Sequence, residues 1–387
     1  MSIKYCIYCQ QHKDSSEFTL EHIIPQFLGG AYSPDHLKTN NVCKKCNSNL
    51  GLFVDAGFEK NWLVSNYLRA AARSCFDQDN PVGLPLVCMG NAELSPPYLP
   101  NDYICELWLG VSGEQVYWLR PKDDRLYWYV GGNPRTTKKE NTRAYFLFSK
   151  ESQKNPIISW LSFRDSFEGR CIRKVMCNSV EGGNVEDIGF VQPDKLDKER
   201  IDYFKHFCFQ NQSRSMNLKI NTNIDYRFLA KIAVGISYCL FGHKVLETNY
   251  GNELYRALWY REGQNLPRIF VKRQLDTIPN ESALSLVSFK HGVTVAVIPV
   301  DTRVIVNIDI GGNLNCSVQI ASTENLNNED LALVDKGVIF LLLKYLHKGF
   351  YYSLPEFLAH KTGDQEIPDL TKISQLFEKN EQYFKRE

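Results

Sequence analysis

Apolar residues follow two different rhythms along the chain and divide it into blocks. Between Phe53 and Phe76, Phe58, Trp62, Leu63, Tyr67, Leu68 and Ala71 recur at helical spacing, which predicts a helix there. The Pro-rich passage from Asn80 to Pro100 predicts an irregular connection. From Tyr103 to about Met176 the pattern changes to short apolar and aromatic runs broken by Gly, Pro and Asn. Tyr103–Leu109, Gln115–Leu119 and Arg143–Phe148 read as antiparallel strands. Helical spacing returns from about Lys195 to Glu262, where Asp225–Leu246 is apolar enough to be a central core helix. Residues 282–321 again predict strands, with Gly292 and the pair Gly311-Gly312 as turns. A last core helix is expected from about Asn328 to His347, capped by Asn327 or Asn328, and the charged tail after Thr371 also suits a helix. No internal repeat or low-complexity tract interrupts these blocks.

Composition adds limits. A chain of 387 residues suits two or three domains, and 43% hydrophobic with 23% charged residues is ordinary for a globular protein. The net charge of +1 means that any contact with nucleic acid has to come from local patches. No segment reads as a secretion signal or a membrane span; the run Gly337–Leu346 is interrupted by Lys344 and falls short of the ~20 residues a span needs. A cytoplasmic protein is therefore expected. Cys75, Cys88, Cys105, Cys171, Cys177, Cys208, Cys239 and Cys316 are scattered among apolar neighbours, as buried thiols in a reducing compartment would be.

The remaining cysteines are arranged differently. Cys6-x2-Cys9 and Cys43-x2-Cys46 are two matched pairs, each able to turn both thiolates toward one ion, and together they predict a closed tetrahedral zinc site. A closed site leaves no coordination position for a substrate, so this zinc is expected to hold the fold together. A unit of about fifty residues needs such a staple.

Between and just after the pairs stand Glu21-His22-Ile23-Ile24-Pro25, Gly29-Gly30, Asn40-Asn41, Asn47 and Gly51. In this order and spacing, residues 6–51 resemble the HNH (ββα-metal) endonuclease family. More narrowly, they are similar to its four-cysteine members with Asn in the final position, such as endonuclease VII-like Holliday-junction resolvases. The resemblance implies a small N-terminal ββα-metal, zinc-stapled module (1–52). The hydrophobic pattern after it predicts a helical connector and loop (53–100) and a larger mixed α+β body (101–387) with a further boundary near 190, so the chain as a whole is expected to be α+β. The resemblance also implies His22 as general base, Glu21 and Asn47 as ligands of a catalytic Mg²⁺ or Mn²⁺, and Asn41 as the residue holding the loop and imidazole. Each has a plainer alternative. His22 and Glu21 suit an ordinary strand, Asn47 a helix cap, Asn40 could stand for Asn41, and Asn49 for Asn47. Gly29-Gly30 is expected to give the loop between strands its positive-φ geometry.

Beyond the module, Arg135, Lys138, Lys139 and Arg143, interleaved with Tyr145, Phe146 and Phe148, form a basic patch that suits either nucleic acid or a solvated hairpin loop. Arg256, Arg261, Arg268 and Lys272 are a weaker second patch. Two functions follow from the sequence. One is a metal-dependent HNH endonuclease cutting or nicking DNA, with RNA left open as substrate and partner proteins of a restriction or phage-defence system suggested by analogy with short nuclease heads on long bodies. The other is a zinc-binding adaptor without catalysis. Glu21, His22 and Asn47 together favour the enzyme, because a pure zinc module needs none of them.

Overall fold

The computed structural model describes residues 2–122, 142–154, 156–167, 172–178, 186, 189–209, 222–275 and 283–385. In chain order the head contains β1 (Ile3–Tyr5), β2 (His12–Asp14), β3 (Phe18–His22), β4 (Lys38–Cys43) and α1 (Lys44–Leu50). A π-helical turn (Gly51–Asp55) leads into α2 (Ala56–Glu59) and α3 (Trp62–Ser74). Next come β5 (Val87–Asn91), β6 (Tyr103–Leu109), β7 (Gln115–Pro121), β8 (Thr142–Leu147), α4 (Pro156–Ser166), β9 (Ile172–Met176) and α5 (Lys195–Phe209). The last third holds α6 (Thr222–Phe241), α7 (Asn249–Leu258), β10 (Val271–Leu275), β11 (Val293–Val300), β12 (Arg303–Ile310) and β13 (Leu314–Ser322), then α8 (Asn328–Val334), β14 (Val338–Leu343), β15 (Lys348–Ser353), α9 (Leu354–Thr362) and α10 (Pro368–Lys385). The fold is mixed α+β, as expected. No helix among the described residues is long and apolar enough to cross a membrane.

Two compact units result. One joins residues 1–59 to 221–387, and the other is 60–220. These limits differ from boundaries at 52, 100 and near 190: the head shares a unit with the C-terminal third, and the middle third is an insertion in sequence.

In the inserted unit, β5-β6-β7-β8-β9 form one sheet, antiparallel except for the parallel pair β8–β9. Both faces are buried. Val116, Trp118, Ala144 and Phe146 pack with Phe163 of α4 on one side, whereas Tyr117, Leu119, Tyr145 and Leu147 pack with Phe204 of α5 on the other. Burial on both faces explains why these strands read as continuous aromatic runs. It also corrects two expectations. Residues 103–176 are not all antiparallel strands, since α4 lies between β8 and β9. The Pro-rich stretch is not wholly irregular, since β5 pairs with β6 through a bulge at Cys88/Gly90.

In the other unit, β10-β13-β12-β11-β14-β15 form an antiparallel sheet. The expected helix Asn328–His347 is corrected. It ends at Val334 after a capping box between Asn327 and Asp330, and Gly337 at φ +69° turns the chain into β14. Val338–Leu343 is buried along its whole length between β11 and β15. A central strand and a core helix are equally apolar over so short a run, so periodicity alone could not separate them. The central helix α6 lies against β13, where Ser237 Oγ donates to the Ile320 carbonyl at 2.7 Å.

Candidate active site

Cys6 and Cys9 sit on the turn after β1, Cys43 ends β4, and Cys46 lies in the first turn of α1. Their Sγ atoms all lie within 4.8 Å of one another. Zinc–sulfur bonds of about 2.3 Å in a tetrahedron need such a separation, and the donor set is all thiol, so these residues fit zinc. The surroundings favour thiolate at Cys6, whereas burial and the neighbouring sulfurs push the Cys9 and Cys46 thiols up. The Cys43 N–H donates to Cys6 Sγ at 3.3 Å, and Lys13 Nζ donates to Cys43 Sγ at 3.3 Å. Hydrogen bonds from the Cys46 thiol and from backbone N–H groups pull the Cys6 thiol down to about 4. Among the described residues no second group of three His, Cys, Asp or Glu side chains is placed to share an ion.

The strands between the cysteine pairs carry the motif. β3 and β4 run antiparallel, Phe18 opposite Cys43 and Thr19 opposite Val42, then Glu21 opposite Thr39 and His22 opposite Lys38. Leu20 therefore faces both Asn40 and Asn41, a bulge in β4. The loop beyond β3 closes on itself at the two glycines for different reasons. Gly29 takes φ +94°, whereas a Cβ on Gly30 would stand 1.6 Å from the Ile24 carbonyl oxygen.

Glu21 and His22 are successive strand residues, so their side chains leave on opposite sides. His22 is half-buried, and its ring makes no hydrogen bond among the described residues. Burial, aided by the Lys38 charge, holds its pKa below the ordinary histidine value, which keeps the imidazole neutral and able to accept a proton.

Glu21 turns inward. It is only 4% exposed, and its Oε1 lies 2.9 Å from Lys231 Nζ and accepts from the Tyr8 hydroxyl at 3.4 Å. Lys231, on α6, also meets Asp55 Oδ2 at 2.5 Å. Burial raises the pKa of both carboxyls against the pull of Lys231. Burial works to lower Lys231, but Asp55 and Glu21 outweigh it and keep the ammonium charged. As placed, Glu21 does not fit a divalent ion, because its inward oxygen is already matched by a cation.

The two asparagines are engaged elsewhere. Asn41 Nδ2 donates to the Tyr238 hydroxyl of α6 at 2.5 Å, and its carbonyl accepts from the Ile7 N–H at 2.9 Å. Asn41 and Tyr238 also line an open cavity of about 740 Å³ with Tyr5, His12 and His243. Asn47 lies within α1, not at its cap, and its Nδ2 donates to the Leu20 carbonyl at 3.1 Å, tying the helix to β3 beside Glu21. Of the basic patch, Arg135, Lys138 and Lys139 lie outside the described residues. Arg143 is held at 2.6 Å by the buried Asp197, which also accepts from Tyr145 and Arg173. In the second patch Arg256 pairs with Glu253 at 2.5 Å.

Sequence reasoning missed Tyr8, Asp55, Lys231 and Tyr238. One signal was available. Lys231 interrupts Phe228-Leu229-Ala230 and Ile232-Ala233-Val234 in a helix expected to be core, and a buried lysine needs an acidic partner.

Residues 6–63 match the family model described as HNH endonuclease, from Cys6 to the start of α3. The resemblance read from the motif is borne out over that segment. Neither the curated proteins nor the solved structures give a match to the chain.

Proposed function

We propose that the zinc-stapled head is a nuclease centre that hydrolyses phosphodiester bonds in DNA, with His22 as its general base. The observation that carries this reading is the His22 ring itself. It is neutral, half-exposed and unoccupied by hydrogen bonds, at the end of a strand fixed by the cysteine cluster and by Asn47. In the reaction a water oxygen attacks phosphorus, the imidazole takes the water proton, one P–O ester bond breaks, and the leaving oxygen is protonated from solvent. Asn41 acts at a distance from this chemistry, by fixing the bulge between α6 and the cysteine turn.

One observation favours the second reading, a zinc-binding adaptor. The acid of the motif is buried in an ion pair, as a purely structural residue would be. The two readings part in a single assay. Purified protein with supercoiled plasmid DNA and Mg²⁺ or Mn²⁺ is expected to nick it, and single-stranded and duplex RNA in parallel reactions report the substrate class. An adaptor would bind without nicking under any of these conditions.

A further inference from the structure

Helix α6 presents one face to the head. Ile224, Phe228, Lys231, Gly235 and Tyr238 follow one another at steps of three and four residues, and each meets a residue of the head or of α2. Phe228 stacks on Phe58 at 3.8 Å between ring centroids, and a Cβ on Gly57 would lie 2.7 Å from Ile224 Cδ1. A Cβ on Gly235 would lie 2.5 Å from Ile23 Cγ2, and Tyr238 accepts from Asn41. Four contacts on this stripe are apolar, steric or neutral. Lys231 brings a charge, and it reaches the motif acid.

We propose that Lys231 is a built-in cation that governs Glu21: its ammonium holds the cation position between Glu21 and Asp55, and a divalent ion gains Glu21 only when Lys231 releases it. This rests on the reading of Glu21 as the acid of a nuclease site. Lys231 Nζ is flanked by Glu21 Oε1 at 2.9 Å and Asp55 Oδ2 at 2.5 Å, as two ligand oxygens flank an ion. The Tyr8 ring, 6.0 Å away, covers a further side. Two carboxylates share one ammonium, so negative charge is in surplus, and Asp55 Oδ1 is buried with no hydrogen-bond partner. That surplus draws a cation toward the place that Lys231 fills.

The ammonium is also confined. Lys231 is 2% exposed, and one turn farther Gly235 lets α6 press against Ile23 and Tyr8. Release of Glu21 thus requires α6 to shift on the head, or the lysine chain to refold within a packed interface. A ligand or partner that moves α6 would act on the nuclease site without touching it.

The test is Mn²⁺ binding by the full-length, zinc-loaded protein, followed by calorimetry. Lys231→Met keeps an unbranched chain of similar length and removes the charge. It is expected to bind Mn²⁺ at least about tenfold more tightly than wild type, since separating a buried ion pair is costly. Asp55→Asn removes the surplus charge and leaves Lys231 to Glu21 alone, so it is expected to bind Mn²⁺ more weakly than wild type. Glu21→Gln in the Lys231→Met background is expected to abolish the gain. Folded Lys231→Met with unchanged or weaker Mn²⁺ binding overturns the proposal. If that variant fails to fold or keep zinc, Asp55→Asn decides, and unchanged or tighter binding there overturns it. Plasmid nicking is scored separately. Tighter Mn²⁺ binding by Lys231→Met with no nicking by any variant removes the nuclease reading and leaves the cation exchange standing.

Discussion

A side chain that takes a proton from water has to be neutral and unblocked, and His22 satisfies both conditions through ordinary forces. Partial burial and the Lys38 charge each disfavour the imidazolium, so the pKa moves down from 6.5. A base works in its neutral form. Nicking is therefore expected to hold level through neutral pH and to fall only as pH drops below about 6.5, through the lowered pKa. A pH–rate profile whose acid limb lies above pH 7 would assign the base to another group. The residue types at this site were legible because the paired cysteines, the acid-histidine pair and the later asparagines are all local in sequence. Their partners were not. Nothing near Glu21 or Asn41 in sequence indicates Lys231 or Tyr238, which reach them from a helix in the last third of the chain.

At the scale of elements, two devices set the geometry. The first is the cysteine cluster, which joins the turn after β1, the end of β4 and the start of α1. Metal analysis is expected to find about one tightly held zinc per chain, and Cys43→Ser to lose it together with the order of β3 and β4. Zinc-free protein that keeps those strands would contradict this. The second is the approach of α6. Gly235→Ala puts a methyl group 2.5 Å from Ile23 Cγ2, so it is expected to cost about 1–3 kcal/mol in urea unfolding. An unchanged midpoint would mean that α6 is not closely seated on the head. Element type was readable where one face is buried, as in α3. It failed in β14, whose unbroken Val338–Leu343 run is buried on every side.

For the whole molecule, the head is not a free-standing bead on a long body. Ile23, Phe27 and Phe58 are buried, and the aromatic pair among them packs on Phe228 of α6. A fragment ending near Asp79 lacks that helix and is expected to aggregate or stay unfolded even with zinc, judged by circular dichroism and gel filtration. The middle third is different. Gly57 meets Ile224, so the chain leaves and re-enters this unit at nearly one place. Replacing residues 60–220 by a short flexible linker is expected to leave a folded, zinc-binding protein; loss of zinc or of cooperative unfolding would contradict the division into two units. This arrangement was hidden in the sequence because a domain boundary depends on which apolar faces meet, and Phe58 and Phe228 carry no mark of each other. The central claim, a His22-dependent nuclease, is tested most directly by the rate of plasmid nicking for wild type and His22→Ala at equal zinc content with Mn²⁺ present. Wild type is expected to nick, and the variant to lose roughly 10²- to 10⁴-fold in rate with zinc and fold retained. Equal rates for the two proteins would contradict the claim.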